Sequence, residues 1–218
     1  ADFTSMFTVT PVAGADRNAT TVTTYSLSLA TAAGVAVVNG TDSGLDAGNA
    51  SSAPSNIYLH DIGGVVYGST LETGTDAEVI TNAVFTIAVD GTGIVTLTQI
   101  SEIQHDNDAA SSNYADQVAT LANDLVQLTA TAVVTDADGD TATDSDTIDL
   151  GGNINFADDG PSVTVAATED NDVDLTTLDA ESLTSTSTDV SSDADFTSMF
   201  TVTPVAGADR NATTVTTY

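Results

Sequence analysis

The residues best suited to chemistry in this sequence are aspartates at the tip of a predicted hairpin. Residues 136–140 read Asp-Ala-Asp-Gly-Asp, which places carboxylates at alternate positions. Aspartate is a short, hard oxygen donor, and Ca²⁺ takes about six to eight such ligands in flexible geometry. The run resembles the first half of an EF-hand loop, but it has no Glu at the twelfth position and no predicted flanking helices. Two interpretations stay open: Asp136, Asp138 and Asp140 bind Ca²⁺, or an Asp-Gly turn ends in a solvated tip.

A second acidic group lies where two domains are predicted to meet. Asp158 and Asp159 precede Gly160-Pro161, and four more acidic residues follow between positions 169 and 174. Two domains that meet here would bring carboxylates together from both sides, and these would repel each other without a cation. We expect a Ca²⁺ ion to be shared across this joint; the alternative is that these acids are solvated strand ends.

A third group, His105-Asp106-Asn107-Asp108, lies in a polar loop that is long enough to reach a domain end. Asp106 and Asp108 are therefore further candidate Ca²⁺ ligands. The alternative for this group is a solvated loop without a ligand.

Catalytic groups of other kinds are scarce. The chain has two His, no Cys and no Lys, and no G-x-S-x-G sequence accompanies His60-Asp61. Counting does not exclude a glycosidase-type carboxylate pair, because Asp is abundant. However, the chain has no Trp and only 5% aromatic residues, so a sugar-binding cleft would have little to stack against. We expect that the protein is not an enzyme and that His60 is a surface or turn residue.

The net charge restricts the partners. The 218 residues include 32 Asp and Glu, of which five are Glu, against two Arg, and the formal net charge is −30 at pH 7. No basic surface is available to neutralise phosphates, so nucleic acid is excluded, and an anionic membrane surface is equally unfavourable. No apolar run approaches about 20 residues, so we expect no membrane insertion. With 41% hydrophobic residues the chain can form a core, provided that cations offset its self-repulsion.

An internal repeat sets the organisation of the chain. Residues 1–25 read ADFTSMFTVTPVAGADRNATTVTTY, and residues 194–218 are the same letter for letter. The period is therefore 193 residues, and the sequence is one period plus 25 residues of the next. Even the two arginines, Arg17 and Arg210, are one repeat position seen twice.

The domain edge is predicted inside this period. Gly-Pro at 160–161 is strong punctuation, and an alternating Val163-Thr164-Val165 run begins after it. We place an inter-domain junction at 157–162, so that 1–156 is one repeat lacking its first ~31 residues and 163–218 begins the next. Joining 163–193 to 1–156 would rebuild a complete unit, so strand complementation between fragments is a possible partnership.

Period-two patterns predict strands along most of the chain. Tyr25, Leu27 and Leu29 alternate with Ser, residues 79–100 read as a hairpin around Asp90-Gly91, and residues 128–134 lead through the acidic tip to a partner strand at 141–150. Polar stretches at 39–56, 105–113 and 185–195 are predicted loops. The whole predicts an all-β, antiparallel Greek-key β-sandwich of immunoglobulin-like type with long loops.

One segment has helical spacing instead. Tyr114, Val118, Leu121 and Leu125 recur at three- and four-residue intervals after Ser112-Asn113, which resembles a helix cap. This pattern predicts a short helix or 3₁₀ turn that crosses an end of the sandwich, so the fold should contain at most one short helix.

Several stretches together resemble the immunoglobulin-like extender repeats of giant RTX adhesins, bacterial surface proteins exported by type I secretion. The matching stretches are TYSLSLA, VFTIAVDGTGIVTLTQ, LTATAVVTDADGDTATDSDTIDLGG and NINFADDGPSV, and they cover nearly the whole period. The resemblance implies a β-sandwich, calcium at or near inter-domain linkers, and a spacer that projects an adhesive tip from the cell. Carried to this sequence, it implies linker ligands at Asp158 and Asp159 and hairpin-tip ligands at Asp136, Asp138 and Asp140.

We therefore expect a non-catalytic, extracellular spacer in a tandem array, stiffened by calcium and serving adhesion and biofilm formation. Its expected partners are neighbouring repeats of the same chain. The alternative is a ligand-binding module that recognises a saccharide or a host protein. Identical repetition favours the spacer, because a tip binder is generally a single distinct domain.

Overall fold

A computed structural model of the chain describes residues 1–14, 19–48, 54–105, 114, 117–168, 173–177, 192–207 and 213–217. The chain divides into two compact units, Ala1–Asp158 and Asp159–Tyr218. Ten strands and one helix lie in the described part of the first unit: β1 Thr20–Leu29, β2 Thr41–Ala47, β3 Ser55–Ile62, β4 Val65–Ser69, α1 Asp76–Thr81, β5 Ala83–Val89, β6 Val95–Gln99, β7 Val118–Thr120, β8 Val126–Thr135, β9 Thr141–Asp149 and β10 Asn155–Ala157. Two more strands, β11 Ser162–Ala167 and β12 Phe200–Val205, lie in the second unit.

The first unit is built from antiparallel sheets. Strands β2 to β6 form a five-stranded meander in which each strand pairs with its successor. Strands β1, β8 and β9 form a second sheet with β8 in the middle, and the short strands β7 and β10 pair with each other. The prediction of an all-β antiparallel sandwich is confirmed.

The core lies between the two larger sheets. The apolar residues that alternate along β1 and β8, such as Leu27 and Leu128, face the fully buried side chains of the meander. The Phe85 ring packs on Phe156 at 5.1 Å between centroids. A side chain at Gly68 would overlap the Phe85 ring, so only glycine fits on β4 beneath it. Burial of these apolar side chains, worth about 1.5–3 kcal/mol each, supplies the main stabilisation.

The predicted hairpins form at the predicted places. Strands β5 and β6 pair from Phe85↔Gln99 to Val89↔Val95, and the register of β8 with β9 closes at Thr135↔Thr141 beside the acidic tip. The hairpin of β3 and β4 was not predicted. Its two-residue connection, Gly63-Gly64, has positive φ at both positions, as a twist-matched hairpin turn requires.

The segment predicted as a short helix or 3₁₀ turn has 3₁₀ conformation at Tyr114, where the amide of Gln117 donates to the Tyr114 carbonyl, but no helix continues through Val118 to Leu125. Residues 118–120 form strand β7 and Leu121–Asp124 is a loop, because Leu121 fills the core and its amide bonds to the carbonyl of Ile154. The helix of the described chain is α1, which begins with a capping box in which Thr75 and Glu78 exchange hydrogen bonds. The polar stretch 39–56, predicted as a loop, contains strand β2.

The second unit has a different character. Strand β11 pairs with β12 from Ser162↔Val205 to Ala167↔Phe200, and these two strands form a sheet of their own. None of the residues described between 159 and 217 is buried. An isolated pair of strands without an apolar core is marginally stable in water.

Candidate metal site

The acidic tip is a tight turn between β8 and β9. The amide of Asp136 donates to the carbonyl of Asp140 at 3.0 Å, and the amide of Gly139 donates to the carbonyl of Asp136 at 3.3 Å. The Asp136 carboxylate accepts from the amide of Asp140 at 3.0 Å. Gly139 has φ +97°, a conformation that favours glycine, so the Gly of the DADGD run is required by the turn.

A second hairpin of the molecule makes the same turn without the extra acids. Between β5 and β6, the amide of Asp90 donates to Ile94, the amide of Gly93 donates to Asp90, and the Asp90 carboxylate accepts from the amide of Ile94 at 3.0 Å. Asp90 corresponds to Asp136, and Ile94 corresponds to Asp140. The first Asp and the Gly are therefore what this turn needs, and the carboxylates of Asp138 and Asp140 are surplus to it.

One carboxylate oxygen from each of Asp136, Asp138 and Asp140 lies within 4.8 Å of the others. Asp138 and Asp140 are exposed and Asp136 is half-buried. The hydrogen bond with the Asp138 side chain, and then those from the backbone amides of the turn, lower the pKa of Asp136 below its usual value. Three converging carboxylates at this spacing can hold a metal ion, and their hard oxygens suit Ca²⁺ or Mg²⁺.

The structure brings two of the predicted acidic groups towards each other. Asp158 follows β10, and its carboxylate lies 3.8 Å from Nδ1 of His105, a residue of the third predicted group. The other ring nitrogen, Nε2, lies 2.9 Å from the carbonyl oxygen of Phe156 and must carry the hydrogen, because a carbonyl only accepts. Nδ1 is then bare in neutral His105 and forms an ion pair with Asp158 only when the ring is protonated.

The remaining predicted ligands are distributed differently. Asp159 is an exposed residue at the start of the second unit. Asp106 and Asp108, and the acids at 169, 170 and 172, lie outside the described residues. Among the residues that are described, Asp136, Asp138 and Asp140 form the one cluster of three or more potential metal ligands.

His60 is neither a surface residue nor a turn residue, contrary to the sequence-based expectation. It lies inside β3 with 4% of its surface exposed, and Nε2 is 2.8 Å from the carbonyl oxygen of Leu71. That hydrogen bond satisfies the buried ring and fixes its tautomer, which makes His60 a structural residue.

Gly14 and its repeat equivalent, Gly207, each lie next to an aspartate. A Cβ built on Gly14 would lie 3.5 Å from a carboxylate oxygen of Asp136, within the first unit. A Cβ built on Gly207 would overlap the backbone carbonyl of Asp159, within the second unit. One repeat position therefore lies beside the acidic tip in one copy and beside the junction aspartate in the other.

Residues 1–151 match the family model described as Domain of unknown function (DUF5801). The chain belongs to this family. The DUF5801 match includes both large sheets and the acidic tip, while Asp158 and Asp159 follow its end. No curated protein and no solved structure matches the chain. Within the described part of this DUF5801 chain, no helix is long and apolar enough to span a membrane.

Proposed function

We propose that this DUF5801 chain is a piece of a non-catalytic, calcium-stiffened spacer built from tandem repeats, which projects an adhesive region from a bacterial surface. The observation that carries the proposal is the letter-for-letter recurrence of residues 1–25 at 194–218, with a period of 193. Identical units in series suit a spacer, whose length and stiffness depend on repetition. The resemblance to extender repeats of RTX adhesins supports type I secretion and an extracellular location.

Charge gives calcium a physical role in this proposal. One period carries one Arg and 30 acids, which repel each other in a compact state. Where Ca²⁺ is scarce, as in a cytosol, this repulsion favours a loose chain that can be exported. Extracellular Ca²⁺ suits modules that bind it with Kd of about 10⁻⁴–10⁻³ M. When the free Ca²⁺ concentration is a hundredfold above Kd, each occupied site adds about 2.7 kcal/mol to the free energy of unfolding.

The acidic tip is the first site that we assign to Ca²⁺. The hairpin at Asp90–Ile94 shows that this turn closes with a single Asp and a Gly, so turn formation does not explain Asp138 and Asp140. Two extra carboxylates on a chain of charge −30 are unfavourable unless a cation offsets them. Backbone carbonyls and water would complete the coordination.

The inter-repeat joint is the second site in this proposal. Gly14 and Gly207 are the same position of the repeat, and they lie beside Asp136 and Asp159 respectively. In a continuous array, this one glycine position would have both neighbours in every repeat. The junction aspartate of one repeat would then lie near the Asp136 tip of the next repeat. A Ca²⁺ ion held there would tie adjacent repeats together and stiffen the fibre.

The experiment is a calcium titration of the full chain, followed by thermal melting. We expect Ca²⁺ to raise the melting temperature by roughly 5–10 °C per site at hundredfold excess, and chelation to reverse the rise. The double substitution Asp138→Asn/Asp140→Asn should abolish the part of this gain that comes from the tip. It leaves Asp136 and Gly139, which the turn needs.

The matched control is Asp144→Asn/Asp146→Asn, which removes the same charge from exposed residues of β9 outside the cluster. This control should keep the calcium response. If the two double variants respond alike, calcium acts through bulk charge and the tip is not a site. Small-angle scattering of a chain of several periods tests the spacer itself, and an unchanged maximum dimension with and without Ca²⁺ would contradict the stiffening.

A further inference from the structure

His105 and Asp158 make a contact in which two lone pairs face each other. Nε2 of His105 donates its hydrogen to the carbonyl oxygen of Phe156, so Nδ1 of the neutral ring carries a lone pair and no hydrogen. A carboxylate oxygen of Asp158 lies 3.8 Å from this nitrogen. That distance is too long for a hydrogen bond, and with a neutral ring neither atom has a hydrogen to donate to the other. Within the described part of the chain, His60 makes no such contact with a carboxylate.

The distance between the two atoms suits two ligands of one metal ion. Zn²⁺ binds a histidine nitrogen at about 2.0–2.1 Å and a carboxylate oxygen at about 2.0–2.2 Å. With the tetrahedral angle that Zn²⁺ prefers, the two ligand atoms lie about 3.4 Å apart. The 3.8 Å between His105 and Asp158 is therefore a small side-chain movement away from a shared ion.

The His105 ring is already held in the way that metal-binding histidines are held. Such a histidine almost always donates its other ring N–H to a carboxylate, a backbone carbonyl or a water, and this bond fixes the tautomer and the orientation of the ring. The acceptor here is the backbone of Phe156, a residue that is 3% exposed and packs on the Phe85 ring. The ring is thus anchored to the core, with Nδ1 on the side of Asp158.

Partial burial strengthens the pair as a binding site. The side chains of His105 and Asp158 are 11% and 15% exposed, so the attraction between a carboxylate and a cation is screened less than on the open surface. The remaining exposure lets water reach the ion and complete its coordination. A carboxylate offers about four lone-pair positions, so Asp158 can bind an ion and keep its other hydrogen bonds.

We propose that Nδ1 of His105 and the carboxylate of Asp158 bind a first-row transition metal ion, with Zn²⁺ as the ion to be tested. Imidazole nitrogen suits Zn²⁺, Ni²⁺ and Cu²⁺, whereas Ca²⁺ and Mg²⁺ take oxygen ligands. The site differs from the acidic tip in its residues and in its chemistry. It goes beyond the calcium-stiffened spacer and does not depend on it.

The ion would join two parts of the first unit that are far apart in the sequence. His105 closely follows Ile103, which bridges to Ala47 at the end of β2. Asp158 follows β10 and is the last residue of the first unit. A metal ion between them would fasten the end of this unit to the five-stranded sheet.

Nitrogen NMR of the two imidazole rings in the full chain tests the proposal, with Ca²⁺ kept in excess to fill sites made only of oxygen ligands. Before Zn²⁺ is added, both rings should carry their hydrogen on Nε2, since each Nε2 lies beside a backbone carbonyl. Zn²⁺ should then shift the Nδ1 signal of His105 and leave that of His60, which is buried in β3, unchanged. A hydrogen on Nδ1 of His105 at neutral pH would overturn the proposal, as would an Nδ1 signal that Zn²⁺ does not move.

The variant Asp158→Asn removes the carboxylate ligand and keeps the backbone bond from position 158 to the carbonyl of Gln117. The Zn²⁺ concentration that gives half of the His105 shift should rise roughly tenfold or more. The matched control is Asp144→Asn, which removes the same charge from an exposed residue of β9 and should keep the parent value. Equal weakening in both variants would show that Zn²⁺ responds to net charge, and an unchanged value in Asp158→Asn would overturn the role of Asp158.

Calcium provides the last comparison. A shift of the His105 Nδ1 signal that Ca²⁺ alone produces would overturn the assignment to a transition metal. The outcome is separate from that of the spacer proposal, because the readout is the His105 ring and not the calcium dependence of melting. A chain whose melting ignores Ca²⁺ but whose His105 binds Zn²⁺ would contradict the spacer alone.

Discussion

The two copies of the 25-residue segment are alike in one half and different in the other. In both copies a 3₁₀ turn follows the Asp-Phe pair, at Thr4–Met6 and at Thr197–Met199, and Asp2 or Asp195 accepts a hydrogen bond from the amide two residues later. Beyond the turn they diverge. Phe7–Val12 is not a strand while Phe200–Val205 is, and Thr20 onwards is β1 while 213–217 is not a strand.

The difference teaches which interactions are local. The turn forms twice because its hydrogen bonds all lie within a few residues of each other. The strands form only where a partner is present, which is β8 for the residues that begin at Thr20 and β11 for Phe200–Val205. An identical sequence therefore takes different structures because strand pairing is non-local.

The largest expected difference between the copies comes from substituting the same glycine in each. Gly207→Ala should destabilise the β11–β12 pair by about 1–3 kcal/mol, because the new Cβ would overlap the rigid carbonyl of Asp159. Gly14→Ala should change the stability of the first unit by less than about 0.5 kcal/mol, since its Cβ would meet Asp136 at an ordinary 3.5 Å. Chemical shifts of the β11 and β12 amides, together with denaturant unfolding, measure both effects. Equal effects in the two copies would show that the neighbourhoods are the same.

A smaller difference is expected for the phenylalanine after each turn. Phe7 packs against the core and lies 6.1 Å from the Tyr25 ring, whereas Phe200 is 43% exposed. Phe7→Ala should therefore lower the free energy of unfolding by about 1–2 kcal/mol, less than for a fully buried Phe. Phe200→Ala should change it by no more than about 0.5 kcal/mol. Urea unfolding of each single variant is the measurement, and a Phe200 effect as large as that of Phe7 would contradict the assigned packing.

The smallest expected effect is a shared one. Hydrogen bonds from Thr4, first from its hydroxyl and then from its amide, lower the pKa of Asp2, and Thr197 acts in the same way on Asp195. Each turn is thus stabilised above the ordinary pKa of 3.8, and this stabilisation is lost as the pH falls through the lower folded value. Carboxyl carbon shifts followed from pH 6 to pH 2 should show both midpoints below 3.8. A lowered midpoint in only one copy would show that the turn depends on tertiary contacts.

The sequence patterns predicted most of the long strands, but they did not predict helix α1 or the hairpin of β3 and β4. Alternation located β1, β5, β6 and β8, as in β1, where Leu27 and Leu29 are buried and the serines that alternate with them are more exposed. Strand β9 was located as the partner of β8 across the acidic tip, and none of its residues is buried. The helical spacing at 114–125 misled, since Leu121 and Leu125 reach the core from a loop rather than from one face of a helix. The capping box at Thr75 and Glu78 was the available signal for α1, and Gly63-Gly64 was the signal for the β3–β4 hairpin.

The acidic residues of the candidate site also include a cluster that the sequence predicted and a contact that it did not. Asp136, Asp138 and Asp140 were predictable as a cluster because all three lie within one tight turn. The approach of Asp158 to His105 was not predictable from spacing, since 53 positions separate them in the sequence. Their contact depends on β10, which carries Phe156 into the core and leaves Asp158 beside the His105 ring.

The sequence by itself determined the period of 193, the charge, the strand alternation and the local turns at Asp2, Asp90, Asp136 and Asp195. These depend on residue types and on hydrogen bonds within a few positions. Tertiary structure alone decided which copy of FTVTPV becomes a strand, why His60 is buried, and which neighbour each equivalent glycine meets. The physical reason is that a strand, unlike a turn, has its hydrogen-bond partners elsewhere in the chain.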